Sequence, residues 1–220
     1  KSKPNPVCMS AITTGEWDAM MWGSYTNDRP EYYFGWIDFC LKFNPKMEFY
    51  VFNGWPQWAD GFGNGDRKPG IENYRARAKK TAKTLTRQIA GLDKRYPGKV
   101  HIMPTNEAML AALELYFAGK LPGIKALNRK TEGKSPSIWS DGGHLGDGMA
   151  WLEGYVFYAT LYKKSPELIK ERPRQKHVNA ELDAIFRKIA WQAVSNNPLS
   201  DVTDKNGNGI GDAIESLKNK

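Results

Sequence analysis

The stretch EWDAMMWGSYTND, residues 16–28, carries a short apolar run from Trp17 to Trp22 that dissolves into Gly, Ser and Asn. A buried strand that opens into a loop leaves this trace, because its interior is apolar and the turn beyond it needs small or polar residues. Working outward, residues 31–44 form an aromatic-rich helical pattern stopped by Asn44-Pro45, and MEFYVF at 47–52 is a second short strand. Residues 71–96 have helical apolar spacing with a basic outer face, Pro97-Gly98 breaks them, and KVHIM at 99–103 is a third strand. Asn106 is positioned to cap the apolar helix that runs to residue 117, since its short side chain can accept from an exposed first-turn amide. Strand, helix, strand, helix, strand, helix is the order of an α/β protein, a largely parallel sheet covered by helices.

Residues 118–140 read as turns and a long connection, 147–163 as a strong helix, Ser165-Pro166 as a break and 179–195 as a further amphipathic helix. Three strands leave a parallel layer with vulnerable edges. A further βα portion, upstream or supplied by a second chain, is therefore expected to complete the domain. The 220 residues are enough for one large core. The expected division is an α/β domain, or its C-terminal portion, over 1–200 and a separate loop with a terminal tail over 201–220.

The formal charge of +8, with Lys and Arg concentrated near 75–95 and 163–176, favours an anionic partner by general electrostatics. Nothing in that pattern specifies nucleic acid, which is not expected as a partner. Cys8 and Cys40 allow one disulfide at most and cannot make a four-thiolate zinc site. No apolar run reaches the roughly 18 residues of a membrane span, so none is expected.

DGGHLGDG, residues 141–148, is the stretch richest in candidate chemistry. Asp141 and His144 set a carboxylate and an imidazole three positions apart. In a serine hydrolase the histidine takes the nucleophile's proton and returns it to the leaving group, while the acid fixes the imidazole tautomer. The bland alternative is a capping Asp beside a surface His.

The longer segment DGGHLGDGMAWLEGYVFYATLYKKSP, residues 141–166, resembles the terminal block of SGNH/GDSL-type hydrolases, where D-x-x-H is followed by a small-residue turn and an aromatic helix. The resemblance extends to EWDAMMWGSYTND, NPKMEFYVFNGWP, VHIMPTNEAMLAAL and IAWQAVSNNPLSDV, covering much of residues 15–202. It implies a three-layer α/β/α flavodoxin-like fold, incomplete in this chain, with Asp141 as orienting acid and His144 as base. It further implies a secreted or periplasmic esterase. Because the chain opens on Lys1, a targeting segment removed by processing or truncation is compatible with that location.

The family's early G-D-S-like serine block is not evident, and two accounts of the nucleophile follow. In the preferred one, GSYTND corresponds to the family's G-x-N-D block, Gly23 and Asn27 are oxyanion-hole candidates, and the serine lies upstream of this chain. In the other, Ser24 is itself the nucleophile. Ser10 and Ser24 remain candidates if the three-dimensional arrangement overturns the block assignment. An oxyanion hole needs donors aimed at charge that develops during acyl transfer; Asn27 can equally be a turn residue. In the loop NGWPQWADGFGNGD, residues 53–66, Trp55 and Trp58 are candidates for stacking on a sugar or enclosing an acyl group, with core packing as the alternative.

DKNGNGIGDAIE, residues 204–215, fits the twelve-position calcium loop. Asp204, Asn206 and Asn208 supply side-chain oxygens, Ile210 a carbonyl, Asp212 a direct or water-mediated contact and Glu215 two oxygens, with Gly209 at the sharp turn. The loop is similar to dockerin-like and thrombospondin-like calcium segments, and a structural Ca2+ is the expected ion.

The leading expectation is hydrolysis of a carbohydrate-associated acyl ester through a serine acyl-enzyme. The alternative is a catalytically inactive, calcium-containing carbohydrate-binding or structural protein on the same scaffold.

Overall fold

The computed structural model describes residues 6–25, 27–55, 70–171 and 176–218. The three expected strands are β1 (Ala19–Ser24), β2 (Glu48–Asn53) and β3 (Val100–Met103). They pair in parallel in that spatial order, with Trp22 opposite Val51 and Val51 opposite Ile102. Parallel neighbours need a crossover between them. These are α2 (Glu31–Phe43) and α3 (Ile71–Asp93), preceded by α1 (Pro6–Thr14).

Side chains alternate across a strand, so a sheet covered on both faces must be apolar on both. On one face Phe49, Val51, Val100 and Ile102 pack with Ile37 and Cys40 of α2 and with Leu85, Ile89 and Leu92 of α3. On the other, Tyr50 and Met103 join α4 (Thr105–Phe117), α6 (Met149–Tyr162) and α7 (Ala180–Ser195) through Met109, Leu113, Leu152, Val156, Phe186 and Ala190. The chain is thus mixed α/β with helices on both faces of a small parallel sheet.

The edges of this sheet differ. Beyond β3, the Ile102 amide donates to the Leu199 carbonyl at 2.8 Å. β1 pairs with β2 alone among the described residues.

Two local expectations are corrected. Asn106 does not cap α4, which begins at Thr105 behind Pro104; its side chain is buried and donates to the Ala78 carbonyl at 3.1 Å. Asn106 lies within the first turn instead of ahead of it, and its side-chain amide serves to join α4 to α3. Residues 118–140 are more than turns. They hold β4 (Ala126–Asn128), α5 (Arg129–Glu132) and β5 (Ser137–Trp139), with β4 and β5 forming a second parallel pair. Strands of three residues are too short to show a period of two.

The tail is fastened to the body. Lys164 and Ile210 make an antiparallel bridge, the Ser165 amide donates to Gly209 at 2.7 Å and the Gly211 amide to Lys163 at 2.8 Å. Val202 is buried in the larger core, and α8 (Asp212–Lys218) follows. Cys8 is exposed, Cys40 is buried, and both are free thiols. No described helix is long and apolar enough to cross a membrane.

Candidate active site

β5 delivers the chain directly into DGGHLGDG, and the loop folds back on the strand that precedes it. The Ser140 amide donates to the His144 carbonyl at 2.9 Å, Trp139 bridges Leu145, and the Gly146 amide donates to Ile138 at 2.7 Å. Only glycine fits at 146, where a Cβ would stand 1.9 Å from the Ser137 carbonyl oxygen. Gly148, at φ +90°, turns the chain into α6.

Within this return Asp141 Oδ1 accepts the amides of Gly143 and His144, each at 2.9 Å, and His144 Nδ1 lies 2.8 Å from Oδ2. Donation from the Gly143 amide first, and then from the imidazole, holds the Asp141 carboxyl well below the usual carboxylate range. An ionised acid takes a proton-bearing Nδ1, and in the neutral imidazole the acceptor nitrogen is then Nε2. His144 is 83% exposed on its side chain, which leaves the ring open to solvent. The pair therefore has the local geometry of an oriented general base.

The other acid of the stretch has a different task. Asp147 takes the Ser135 hydroxyl and lies 3.3 Å from Arg129 Nη1, and the hydroxyl is the main reason its carboxyl titrates below the ordinary value. It anchors the loop to the segment between β4 and β5.

Two further residues hold the corner, and only one was a candidate from the sequence. Trp55, just past β2, donates its indole N–H to the Gly143 carbonyl at 3.2 Å and packs 6.5 Å from Trp139. Asn128, 1% exposed at the end of β4, donates to the Asp141 carbonyl at 2.9 Å while its oxygen accepts the Lys130 amide at 2.9 Å to cap α5. The sequence carries a signal only for its capping role, an Asn ahead of the short polar stretch RKTE that Gly133 ends, and none for its bond to Asp141. Trp58 lies outside the described residues.

The corner borders a cavity of about 800 Å³. Gly23, Ser24 and Tyr25 bring in the end of β1, Phe52, Gly54 and Trp55 the end of β2, and Gly143 the corner itself. Arg77, Lys80, Thr81, Thr84 and Leu85 of α3 complete the lining. The carboxyl ends of parallel strands are where open α/β sheets place ligands. Gly23 fits closely, since a Cβ there would meet the Phe52 ring at 2.7 Å. Asn27 is exposed on the following turn and is not among the lining residues, and Ser10 is exposed on α1. No serine hydroxyl among the described residues bonds the His144 ring, so Ser24 shares the cavity with the corner without contacting His144.

The expected calcium loop is a separate assembly. Asp204 accepts the Asn208 amide at 3.1 Å through Oδ1 and the Gly209 amide at 2.9 Å through Oδ2, and Asn206 Oδ1 accepts Asn208 N at 3.0 Å. The side-chain amides of Asn206 and Asn208 both donate to Glu215, the former at 2.8 Å. Asp204, Asn206, Asn208 and Glu215 thus converge, whereas Asp212 turns to the Thr203 hydroxyl at 2.7 Å and the Lys205 amide at 3.1 Å. Ile210 sits in the bridge to Lys164. A hard cation suits this oxygen-rich set, which holds two carboxylates and two amides where they meet. Among the described residues no three His, Cys, Asp or Glu side chains gather into a metal group.

Comparison of the chain with protein-family models, curated proteins and solved structures finds no match.

Proposed function

We propose that this chain carries the base and acid of a serine esterase of the SGNH type, acting on a carbohydrate-associated acyl ester. The observation that supports the reading is the Asp141–His144 pair, oriented through Nδ1 on a loop whose Gly143 lines a cavity at the strand ends. In the reaction, His144 Nε2 accepts the serine proton as the hydroxyl oxygen attacks the ester carbonyl. The protonated imidazole then passes that proton to the departing alcohol, leaving an acyl-enzyme. Water, deprotonated by the same nitrogen, releases the acid and restores the serine. Gly23, at the cavity wall, offers a backbone N–H for the oxyanion; Asn27 would need to swing inward to join it.

The nucleophile belongs, in this reading, to a further strand laid against the open edge of β1. The unpaired edge supports it, as do the exposed Leu161 and Tyr162 of α6, a helix apolar enough to expect cover on more than one side. Ser24 is the hydroxyl that the chain offers by itself. Calcium at residues 204–215 has a structural role in this scheme, and a secreted or periplasmic setting supplies both calcium and glycan esters.

A fluorophosphonate probe with mass-spectrometric mapping, combined with ester turnover, tests the proposal. Labelling and turnover that His144→Ala reduces by about 10³-fold or more is the expected result, with the labelled serine naming the strand that bears it. Undiminished turnover in His144→Ala would remove the role of the pair. Sugar binding with neither labelling nor turnover supports the second reading, an inactive carbohydrate-binding protein, which the absence of a serine on His144 among the described residues favours.

A further inference from the structure

We infer that the exposed face of α3 is a docking ridge for a linear polyanionic glycan, whose chain runs from Lys94 towards Lys80 and on into the cavity that Gly143 lines. The inference rests on the esterase reading only in making that glycan the bearer of the ester.

The warrant is an uncompensated row of charge that leads to a cavity. Between Glu72 and Asp93 α3 contains no acid. Lys79, Lys80, Lys83 and Arg87, with Lys94 at the C-terminal cap, are all exposed and fall within about a third of the helix circumference. None of them makes an ion pair among the described residues, whereas the arginines at either end are engaged, Arg75 with Glu72 and Glu114 and Arg95 with Asp38. Arg77, at the cavity, has a partner of its own and is no part of the row. Lys83 has like charges at Lys79, Lys80 and Arg87, three or four positions away, a placement that costs the free helix stability and that a bound polyanion relieves. At 1.5 Å per residue the row is about 20 Å long, so a short anion covers only part of it. Between Lys79 and Arg87 the other exposed residue is Thr86, which leaves the ridge without an aromatic platform for unpaired bases or an apolar edge to enter a bilayer. Lys80 also lines the cavity of about 800 Å³, where Trp55 and the exposed Tyr25 supply aromatic surface for a sugar ring. A single glycan chain passes from the ridge into that space; a nucleic-acid duplex is too wide to follow.

Isothermal titration of the whole chain with decagalacturonate, trigalacturonate, a neutral galactose decamer and a DNA duplex of equal charge provides the test. The expected order puts decagalacturonate at least about tenfold tighter than the trimer or the neutral decamer, with its affinity falling as salt rises. Lys83→Gln combined with Arg87→Gln should weaken the decamer about tenfold and the trimer by less than about twofold. That double variant should melt no lower than the parent in sugar-free buffer, since it removes repulsion. Lys170→Gln with Lys188→Gln makes the same change of charge at exposed positions on the other side of the sheet and should alter affinity by less than about twofold. Equal loss in the two double variants, equal affinity for charged and neutral decamers, or tighter binding of the duplex overturns the inference. Binding is read without turnover. Length-dependent, charge-selective binding by a chain that hydrolyses no ester removes the esterase reading and keeps the ridge, whereas hydrolysis without such binding does the reverse.

Discussion

Asn128 shows how one buried side chain can serve two parts of the corner. Its carbonyl oxygen caps α5 and its amide holds the Asp141 carbonyl, so the two functions are separable by chemistry. Asn128→Asp keeps the capping oxygen and removes the donor, placing a second acceptor against the Asp141 carbonyl. Asn128→Ala removes both. The expected outcome is a lower kcat in both variants, with a loss of about 1 kcal/mol in cap energy confined to the alanine. Thermal melts alongside kcat and KM check this, and rescue of kcat by Asn128→Asp would show that the amide does not position the loop. The Asp141–His144 pairing was legible in the sequence because it spans three residues and closes through its own loop amides. Asn128 was not, since its partner lies 13 residues away across a strand pair too short to announce itself.

At the scale of elements, the corner depends on a backbone approach that no side chain tolerates. Gly146→Ala would drive a methyl group into the Ser137 carbonyl, which belongs to β5 and cannot step aside without breaking the Gly146–Ile138 hydrogen bond. A loss above about 4 kcal/mol is expected, the range reserved for steric and backbone failures. Gly35, in the middle of α2, has nothing within 4 Å of a built Cβ. Gly35→Ala should therefore stabilise by about 0.5–1 kcal/mol, as helix propensity dictates. Chemical denaturation of the two variants measures both, and a mild Gly146→Ala would mean that β5 and the loop can part. The elements themselves followed the sequence where they were long. The strands β1 to β3 and helices α2, α3, α4, α6 and α7 all lie near their expected positions, whereas β4, α5 and β5 fell inside a stretch read as turns.

For the whole molecule, the C-terminal loop acts as a clasp. It meets the end of α6 through Lys163 to Ser165 and meets α7 through Trp191, whose indole donates to Asp204 Oδ2 at 3.1 Å. Ligation of a cation by Asp204 and Glu215 would join these helices at one point, and binding to the folded state alone stabilises by RT ln(1 + [L]/Kd). Calcium at 100 times its Kd is thus expected to add about 2.7 kcal/mol to unfolding, with Glu215→Gln removing most of the gain and chelator reversing it. A melting temperature indifferent to calcium in both proteins would exclude the ion from this loop.

The sequence by itself determined the alternation of strands and helices, the acid–imidazole pair and the twelve-residue loop. Each is a matter of spacing along the chain: burial periodicity for the elements, local ring closure for the pair, a contiguous set of oxygens for the loop. Only the tertiary structure decided what surrounds the Asp141–His144 corner. Trp55 reaches Gly143 across 88 residues, and the basic face of α3 meets the ends of β1 and β2 in one cavity. The crossover of a parallel sheet brings such residues together by packing both faces of the strands, and no local pattern encodes which distant side chains then share a wall.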